Sequence, residues 1–307
     1  MAITIGQIGT FLAVARTGSI REAAAELVVS QPSVSASIAA LGATLGIRLT
    51  ERAGRGIRLT PSGRAFLPFA IDILGLLEQG ELAAREAVDV THRRIRIAAV
   101  TAAGEYLVPA IIRAFTDVHP EIDIDLHVAN QTRVFDLVLA READVAISGR
   151  PPAHGRLIGA PFAVNQLVVI SSLGDPLVRR ESVALEDLGG RTWLMREPGS
   201  GTRRWVEELL VSRDMHPRLL TMGSNGAIKH AVRFGLGLSI QSRIAVELEL
   251  AAGVIAEIRL SEALPERHWH LLRPLRGSRR GVVDTFAEFV VQRGRQLASP
   301  ARTTSGP

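Results

Sequence analysis

Residues 19–61 read SIREAAAELVVSQPSVSASIAALGATLGIRLTERAGRGIRLTP, and this stretch decides the fold of the N-terminal part. Ser19 is placed to cap a helix whose Ala23, Ala24 and Leu27 share one face, with Glu22 in the first turn, where the positive helix end favours an acid. Ser30 is a second N-cap, and Pro32 sits in the following first turn, where a missing N–H costs little. In that second helix Val34, Ile38, Leu41 and Leu45 fall at i, i+4, i+7 and i+11 and bury one stripe. Gln31, Ser33, Ser35 and Ser37 stay on the early, outward turns, where amide and hydroxyl groups can reach phosphates or base edges. Gly46 ends the helix. Two helices across a tight turn, followed by a basic, glycine-broken hairpin, form the layout of a winged helix-turn-helix, whose second helix enters the major groove of DNA. On spacing alone, an ordinary capped helical hairpin in a metabolic domain is the alternative.

Charge placement favours the first reading. Between Arg48 and Arg64 stand five arginines (Arg48, Arg52, Arg55, Arg58 and Arg64) against one acid, Glu51. Arg55 lies between Gly54 and Gly56, the arrangement expected at a hairpin tip. From there an arginine can enter a narrow minor groove while Arg52 and Arg58 neutralise phosphates. A solvated basic loop is the alternative, but a reading helix precedes the loop immediately.

The longer stretch FLAVARTGSIREAAAELVVSQPSVSASIAALGATLGIRLTERAGRGIRLTPSGRAFL resembles the N-terminal domain of LysR-type transcriptional regulators. The likeness runs without a gap from about Ile5 to Leu67. It includes the SQPSVS turn, the Leu45-Gly46 pair that ends the recognition helix, and the RLTPSG that leads into a linker helix. There is one departure. Where the family usually carries basic or long polar side chains, this chain has Ala36, Ser37 and Ala39, and Gly42 replaces a usual acid. Base readout by long side chains is therefore thin, and no contact is carried over to Ala36 or Ala39. The resemblance implies a partner in double-stranded DNA, a small-molecule effector, and self-association into a homodimer and on to a homotetramer.

From Pro61 to about Val90 the pattern is one long helix, with Phe66, Phe69, Ala70, Ile73, Leu74, Leu77 and Leu82 at helical spacing and Pro68 near its start. So much apolar surface is expected to pack against its counterpart in a second subunit, giving two reading heads for a two-fold symmetric site. Docking on the chain's own C-terminal part is the alternative. Thr91, His92, Arg93 and Arg94 read as a polar hinge.

Composition agrees with a soluble, cytoplasmic regulator. A chain of 307 residues with 47% apolar content has room for two or three domains. The absence of cysteine excludes disulfides, thiolate zinc sites and thiol redox sensing. No export signal or membrane-length apolar run is evident. The net charge of +5 suits a polyanion, although one lysine among 36 basic residues points to a general arginine bias.

Beyond the hinge, RIRIAAV, IDIDLHV, ADVAIS, LVVIS, WLMRE, LLTMG, LGLSIQS and HWHLLRP alternate with helical segments, among them one from Gly104 to Val118. The alternation predicts parallel sheets covered by helices on both faces. It resembles the two-lobed effector domain of the same family, similar to periplasmic binding proteins. The overall expectation is α+β and multidomain: a winged helix-turn-helix over 1–60, a linker helix over 61–91, and a two-lobed α/β effector domain over 92–297. Lobe I would take 92–161 and 268–296 and lobe II 162–267, with crossings near Pro161 and Arg267; 298–307 would form a disordered tail.

In such folds a ligand sits at the carboxyl ends of strands, between the lobes. Four places qualify: Thr101 with Ala102 and Ala103; Ser148 with Gly149; Gly199, Ser200, Gly201 and Thr202 within REPGSGTR; and Asn225 at a helix start with Gln241 at a strand end. Each alone is as well read as plain N-capping, but their convergence favours a cleft. REPGSGTR looks most like the branch of Calvin-cycle and cysteine-biosynthesis regulators, which implies a small anionic metabolite. No resident cofactor, metal or membrane partner is expected. His119, His127, His154, His216 and His230 are scattered, and Trp269 between His268 and His270 suggests an exposed strand face rather than metal ligation. No GxSxG, P-loop or GxGxxG is present, so an enzyme is not expected.

Overall fold

A computed structural model describes residues 2–54, 56–88, 93–153, 155–275 and 281–298, and the chain divides into two compact units, 1–88 and 89–307. Arg55, the hinge residues Thr91 and His92, His154, and the expected tail beyond Ala298 lie outside the described residues.

The first unit opens on α1 (Ile5–Thr17), which starts at a reciprocal capping box between Thr4 and Gln7. Next come α2 (Ile20–Glu26) and α3 (Gln31–Leu45), whose axes meet at 106°. Ser19 and Ser30 cap them by accepting from the Glu22 and Ser33 N–H groups, and Gly46 ends α3 at φ +69°. The turn between them passes through Val28 at φ +55°, a region that a β-branched residue enters only with strain. Val28 is 89% exposed, so little packing opposes its replacement. Val28→Asn is expected to raise stability by about 1 kcal/mol, read from the urea midpoint; an unchanged midpoint contradicts strain at this turn.

The hairpin β1 (Thr50–Ala53) and β2 (Gly56–Leu59) pairs antiparallel, with Glu51 opposite Arg58. It leads into α4 (Pro61–Val88). The apolar pattern of α4 resolves into two stripes rather than one. Phe66, Ala70 and Leu74 pack on the core formed by Phe11, Val14, Val34, Ile38, Leu41 and Leu49, with the Phe11 and Phe66 rings 5.3 Å apart. Phe69, Ile73 and Leu77 form a second, exposed row at the same i, i+4, i+8 spacing.

In the second unit β3 (Arg94–Val100) is followed by two helices, α5 (Thr101–Tyr106) and α6 (Val108–Thr116), where one helix from Gly104 was expected. The break falls at Leu107 because Pro109 cannot donate to a continuing ladder; it fits instead in the first turn of α6. Then come β4 (Asp123–Ala129), α7 (Gln131–Leu139), β5 (Val145–Ser148), β6 (Leu157–Val164) and β7 (Leu167–Ser171). After them follow β8 (Thr192–Met195), α8 (Gly201–Ser212), β9 (Arg218–Thr221), α9 (Asn225–Arg233), β10 (Ser239–Ser242), α10 (Glu247–Ala251), β11 (Ala256–Ile258), β12 (His268–Pro274) and α11 (Gly281–Leu297).

Two lobes result. In lobe I the strand order is β4-β3-β5-β12-β6. In lobe II β7 lies between β10 and β11, and β8 pairs with β9. The sheets are mixed, not parallel throughout. Among the described strands β3–β4, β3–β5 and β8–β9 pair parallel, whereas β12 runs against β5 and β6, and β7 against β10 and β11. The expected crossing near Pro161 also moves. Pro161 lies inside β6, and the chain leaves the lobe I sheet only after Val164. A proline is tolerated there because β6 is an edge strand with one unpaired side. The lobe I core gathers Ile95, Ile97, Ile147, Trp269 and an edge-on pair, Phe115 and Phe286, with ring centroids 5.0 Å apart. That of lobe II is built round Trp193, whose indole N–H donates to the Leu188 carbonyl at 3.0 Å.

Candidate functional site

Two surfaces carry the residues singled out from the sequence. On the first unit, Gln31, Ser33 and Ser35 are exposed and Ser37 half-buried on α3. The Ser33 hydroxyl is shared with that of Ser30 at 2.8 Å, so part of its capacity goes to the cap. Ala36, Ala39 and Ala40 complete the outward face, which confirms how few long side chains it presents. Gly42 has a packing reason: a Cβ there would stand 2.7 Å from the backbone oxygen of Ile47. On the hairpin, Arg52 is exposed and makes no side-chain bond among the described residues. Arg58 donates to Glu51 at 2.8 Å, and Arg64 to the Leu59 carbonyl at 2.7 Å. Thus the Arg52 guanidinium is left to solvent, that of Arg58 is paired with an exposed carboxylate, and Arg64 serves the fold.

The second surface is the cleft between the lobes. Its residues come from four helix starts: α5 and α7 of lobe I, and α8 and α9 of lobe II. Arg196, just after β8, is 5% exposed and ties three of the elements together. One guanidinium nitrogen donates to the Asn225 side-chain oxygen on α9 and another to Thr101 Oγ1 on α5 at 3.2 Å, while Glu197 accepts at 2.8 and 2.9 Å. From α8, Arg204 donates to the Gln131 side-chain oxygen on α7, and Gln131 Nε2 donates to Ser148 Oγ at 3.3 Å. The Gly199 carbonyl accepts from the Thr132 N–H at 3.2 Å.

The glycines of REPGSGTR can now be explained. Gly199 sits at φ +89°, and a Cβ on it would meet Asn130 and Thr132 at 3.2 Å. A Cβ on Gly201 would press on the Gln131 amide at 2.7 Å. The lobes therefore meet backbone to side chain at two facing helix starts. Four such positive ends and three arginines (Arg196, Arg204 and Arg267) make this an anion-attracting site.

Most of the predicted cleft residues converge here: Thr101, Ser148, Gly199, Gly201 and Asn225 all contact this network. Ser200 caps α8 at 3.5 Å from the Arg203 N–H, and Thr202 is half-buried in the same first turn. Two depart. Ala102 packs into the lobe I core. Gln241 is buried, and its amide donates to Ser239 Oγ at 2.9 Å, with no bond to the cluster. Arg196 stands in the octapeptide with no local signal of a ligand role, Arg267 reads only as a lobe crossing, and Gln131, Asn130 and Arg204 carry no local signal at all. Asn225 Nδ2, also buried, finds no hydrogen-bond partner among the described residues.

One turn along α9 and α5 a further bond spans the lobes. Lys229 on α9 donates to the Tyr106 hydroxyl of α5 at 3.1 Å and pairs with Glu249 at 2.6 Å. Burial pushes the Lys229 pKa down, but Glu249 and Tyr106 outweigh it and leave it raised.

Segment 5–64 matches the family described as bacterial regulatory helix-turn-helix protein, lysR family, and segment 89–295 matches the LysR substrate binding domain. The chain belongs to the LysR family of bacterial transcriptional regulators. It is 33% identical over 288 residues to the HTH-type transcriptional activator CmpR of Synechocystis sp., covering 94% of both chains. It is 32% identical over 299 residues to the RuBisCO operon transcriptional regulator of Allochromatium vinosum, covering 97% of this chain and 98% of that one. These relatives match the branch to which REPGSGTR points. Among solved structures, the CcmR regulatory domain of Synechocystis in complex with 2-PG superposes with a TM-score of 0.62 at 30% identity, covering 65% of this chain and 96% of that chain.

In this regulator His268 and His270 are not arranged for a metal. His270 Nδ1 donates to the His268 carbonyl at 3.1 Å, and no metal-holding group of three His, Asp or Glu occurs among the described residues. Burial lowers the His270 pKa, with His268 and Arg150 adding to it against the backbone bond. Its folded pKa thus lies below its unfolded one, so the unfolded chain takes up the proton first and stability falls as pH drops below about 6.5. His270→Gln is expected to flatten the melting temperature between pH 7 and pH 5.5; an unchanged slope contradicts the lowered pKa of this half-buried imidazole. No single helix among the described residues is long and apolar enough to cross a membrane.

Proposed function

We propose that this regulator binds a promoter through α3 and the hairpin, and that a small anionic metabolite held between the lobes sets the strength or geometry of that binding. The observation that carries the effector half is the cleft itself: buried Arg196 and Asn225 with Arg204, converging on four helix starts. Water rarely repays such a concentration of positive potential as well as an anion does. The 2-PG complex of the CcmR domain supports an anion in the same fold. The contacts assigned to DNA are Gln31, Ser33, Ser35, Ser37, Arg52, Arg55 and Arg58, and those assigned to the effector are Thr101, Ser148, Gly199, Ser200, Gly201, Thr202 and Asn225, now joined by Arg196. The exposed row Phe69, Ile73 and Leu77 on α4 supports pairing with a second copy, hence two reading heads. Effector-driven movement of the lobes would then alter head spacing or DNA bending.

Because long side chains are few on α3, shape and spacing are expected to supply much of the specificity. A mobility-shift titration against the chain's own upstream DNA tests this. Affinity should fall steeply with salt; Arg52→Ala should weaken every sequence roughly alike, by about threefold to tenfold, and Ser35→Ala should change the preferred sequence. Binding that ignores salt, or fails to occur at all, overturns the reading.

A further inference from the structure

The part of the cleft where Gln131, Ser148, Gly149 and Arg204 meet holds another cation. Arg267 is the last residue before β12, at the return from lobe II to lobe I. Its guanidinium lies 5.9 Å from the Trp205 ring centroid, on α8. Its Nη2 is 3.3 Å, and Gln131 Nε2 3.4 Å, from the point where a Cβ on Gly149 would stand. Gly149 is not in the left-handed region, so glycine is kept there for room and not for backbone freedom. Arg267 Nη1 is buried and has no hydrogen-bond partner among the described residues. The neighbouring charge makes matters worse: Arg204 opposes it, and Glu208, itself exposed, is the carboxylate that counters it. Burial first, and Arg204 second, bring the Arg267 pKa down to about 10.

A half-buried guanidinium with one buried, unused donor beside a second guanidinium is an arrangement that an arriving anion relieves. Another unused buried donor, Asn225 Nδ2, belongs to a different cluster, with Arg196 and Thr101. Two groups of donors, one round Arg196 and the other round Arg204 and Arg267, each with one unused buried donor, are more than a single compact anion needs.

We propose that Arg267 forms a second anion position in the inter-lobe cleft, so that the effector is a small molecule with two anionic ends, one held at Arg196, Asn225 and Thr101 and the other at Arg267. This rests on the reading that the cleft holds the effector. Arg267 is then the residue that separates two-ended from one-ended anions, and Gly149 keeps the space beside it open.

Calorimetry on the full chain with two probes tests the proposal: methylphosphonate, with one anionic group, and phosphonoacetate, with a phosphonate and a carboxylate. A charge-assisted bond from a buried arginine predicts that wild type binds phosphonoacetate roughly thirtyfold more tightly than methylphosphonate. Arg267→Gln should shrink that ratio below about threefold, Arg267→Lys should leave an intermediate ratio, and Gly149→Ala should weaken phosphonoacetate more than methylphosphonate. If the glutamine variant does not fold, the lysine and alanine variants decide the matter alone. Equal affinities for the two probes in wild type, or a ratio that survives in the variants, overturns the second position while leaving the effector reading in place. If wild type binds neither probe, nor 2-PG, the effector reading falls and the second position falls with it.

Discussion

Arg196→Gln is expected to cost at least about a hundredfold in affinity for small anions, the largest single loss in the cleft. Arg196 is nearly fully buried and reaches Thr101 in lobe I and Asn225 in lobe II at once. Its removal takes away a charge aimed at the ligand and also strips the donor from the Asn225 side-chain oxygen and from Glu197. An uncompensated buried carboxylate is costly; Glu197 is part-exposed, so the loss of stability should be about 2 kcal/mol rather than the 3–5 seen for fully buried pairs. Arg196→Lys keeps the charge but cannot span two acceptors on different lobes with a planar fork, and should fall between. Titration with 2-PG and inorganic phosphate measures it. Full retention of affinity in Arg196→Gln would show that the anion site lies elsewhere.

The second large effect is expected at Gly63 in the RLTPSG motif. Thr60 Oγ1 donates to the Arg48 carbonyl at 2.7 Å and accepts from the Gly63 N–H at 3.0 Å, capping α4 while it ties down the strand that enters the hairpin. Pro61 takes the first helical position, where its ring is pre-set for the turn. The close approach this requires puts Gly63 against the Leu49 carbonyl, and a Cβ on residue 63 would overlap that backbone oxygen. Neither partner is a flexible side chain, so the overlap is relieved only by moving the hairpin or the helix. Gly63→Ala should therefore cost about 3 kcal/mol, lowering the melting transition of the head by roughly 12 °C or more. Hydrogen exchange over residues 45–70 should rise with it, and DNA affinity should drop because α3 and the hairpin share that core. A variant that melts and binds as wild type would contradict the packing described at this junction.

Local chemistry was legible in the residues, and long-range chemistry was not. Ser19, Ser30 and Gly46 act at the helix ends where their side chains or backbone predicted, because capping is decided within three or four residues. The stripe Val34, Ile38 and Leu41 is buried for the same reason. Errors arose where a neighbour in space overrode the local signal. Pro161 reads as a breaker, yet it fits an edge strand whose free side faces no partner. Pro109 falls within the helix expected from Gly104 to Val118, yet it lies in the first turn of a separate helix, α6. The stripe on α4 reads as one surface, because only the folded head shows that Phe66, Ala70 and Leu74 are already used.

The cleft shows the same division. Its glycines and hydroxyls announce themselves as helix starts after strands. Its charges do not: Gln131 and Arg204 are 73 positions apart and Arg196 and Thr101 are 95 apart, and in an arginine-rich chain no single arginine stands out. Gln241 illustrates the opposite failure, since the end of a strand points to the cleft but its side chain turns to Ser239.

An anion between the lobes is expected to change how the chain binds DNA. The most direct measurement is DNA affinity as a function of 2-PG concentration at fixed ionic strength, since added salt alone weakens binding. Wild type should show a saturable change of at least about threefold, in either direction, that is absent in Arg196→Gln. An unchanged affinity and unchanged complex mobility in wild type, or the same response in Arg196→Gln, would contradict it.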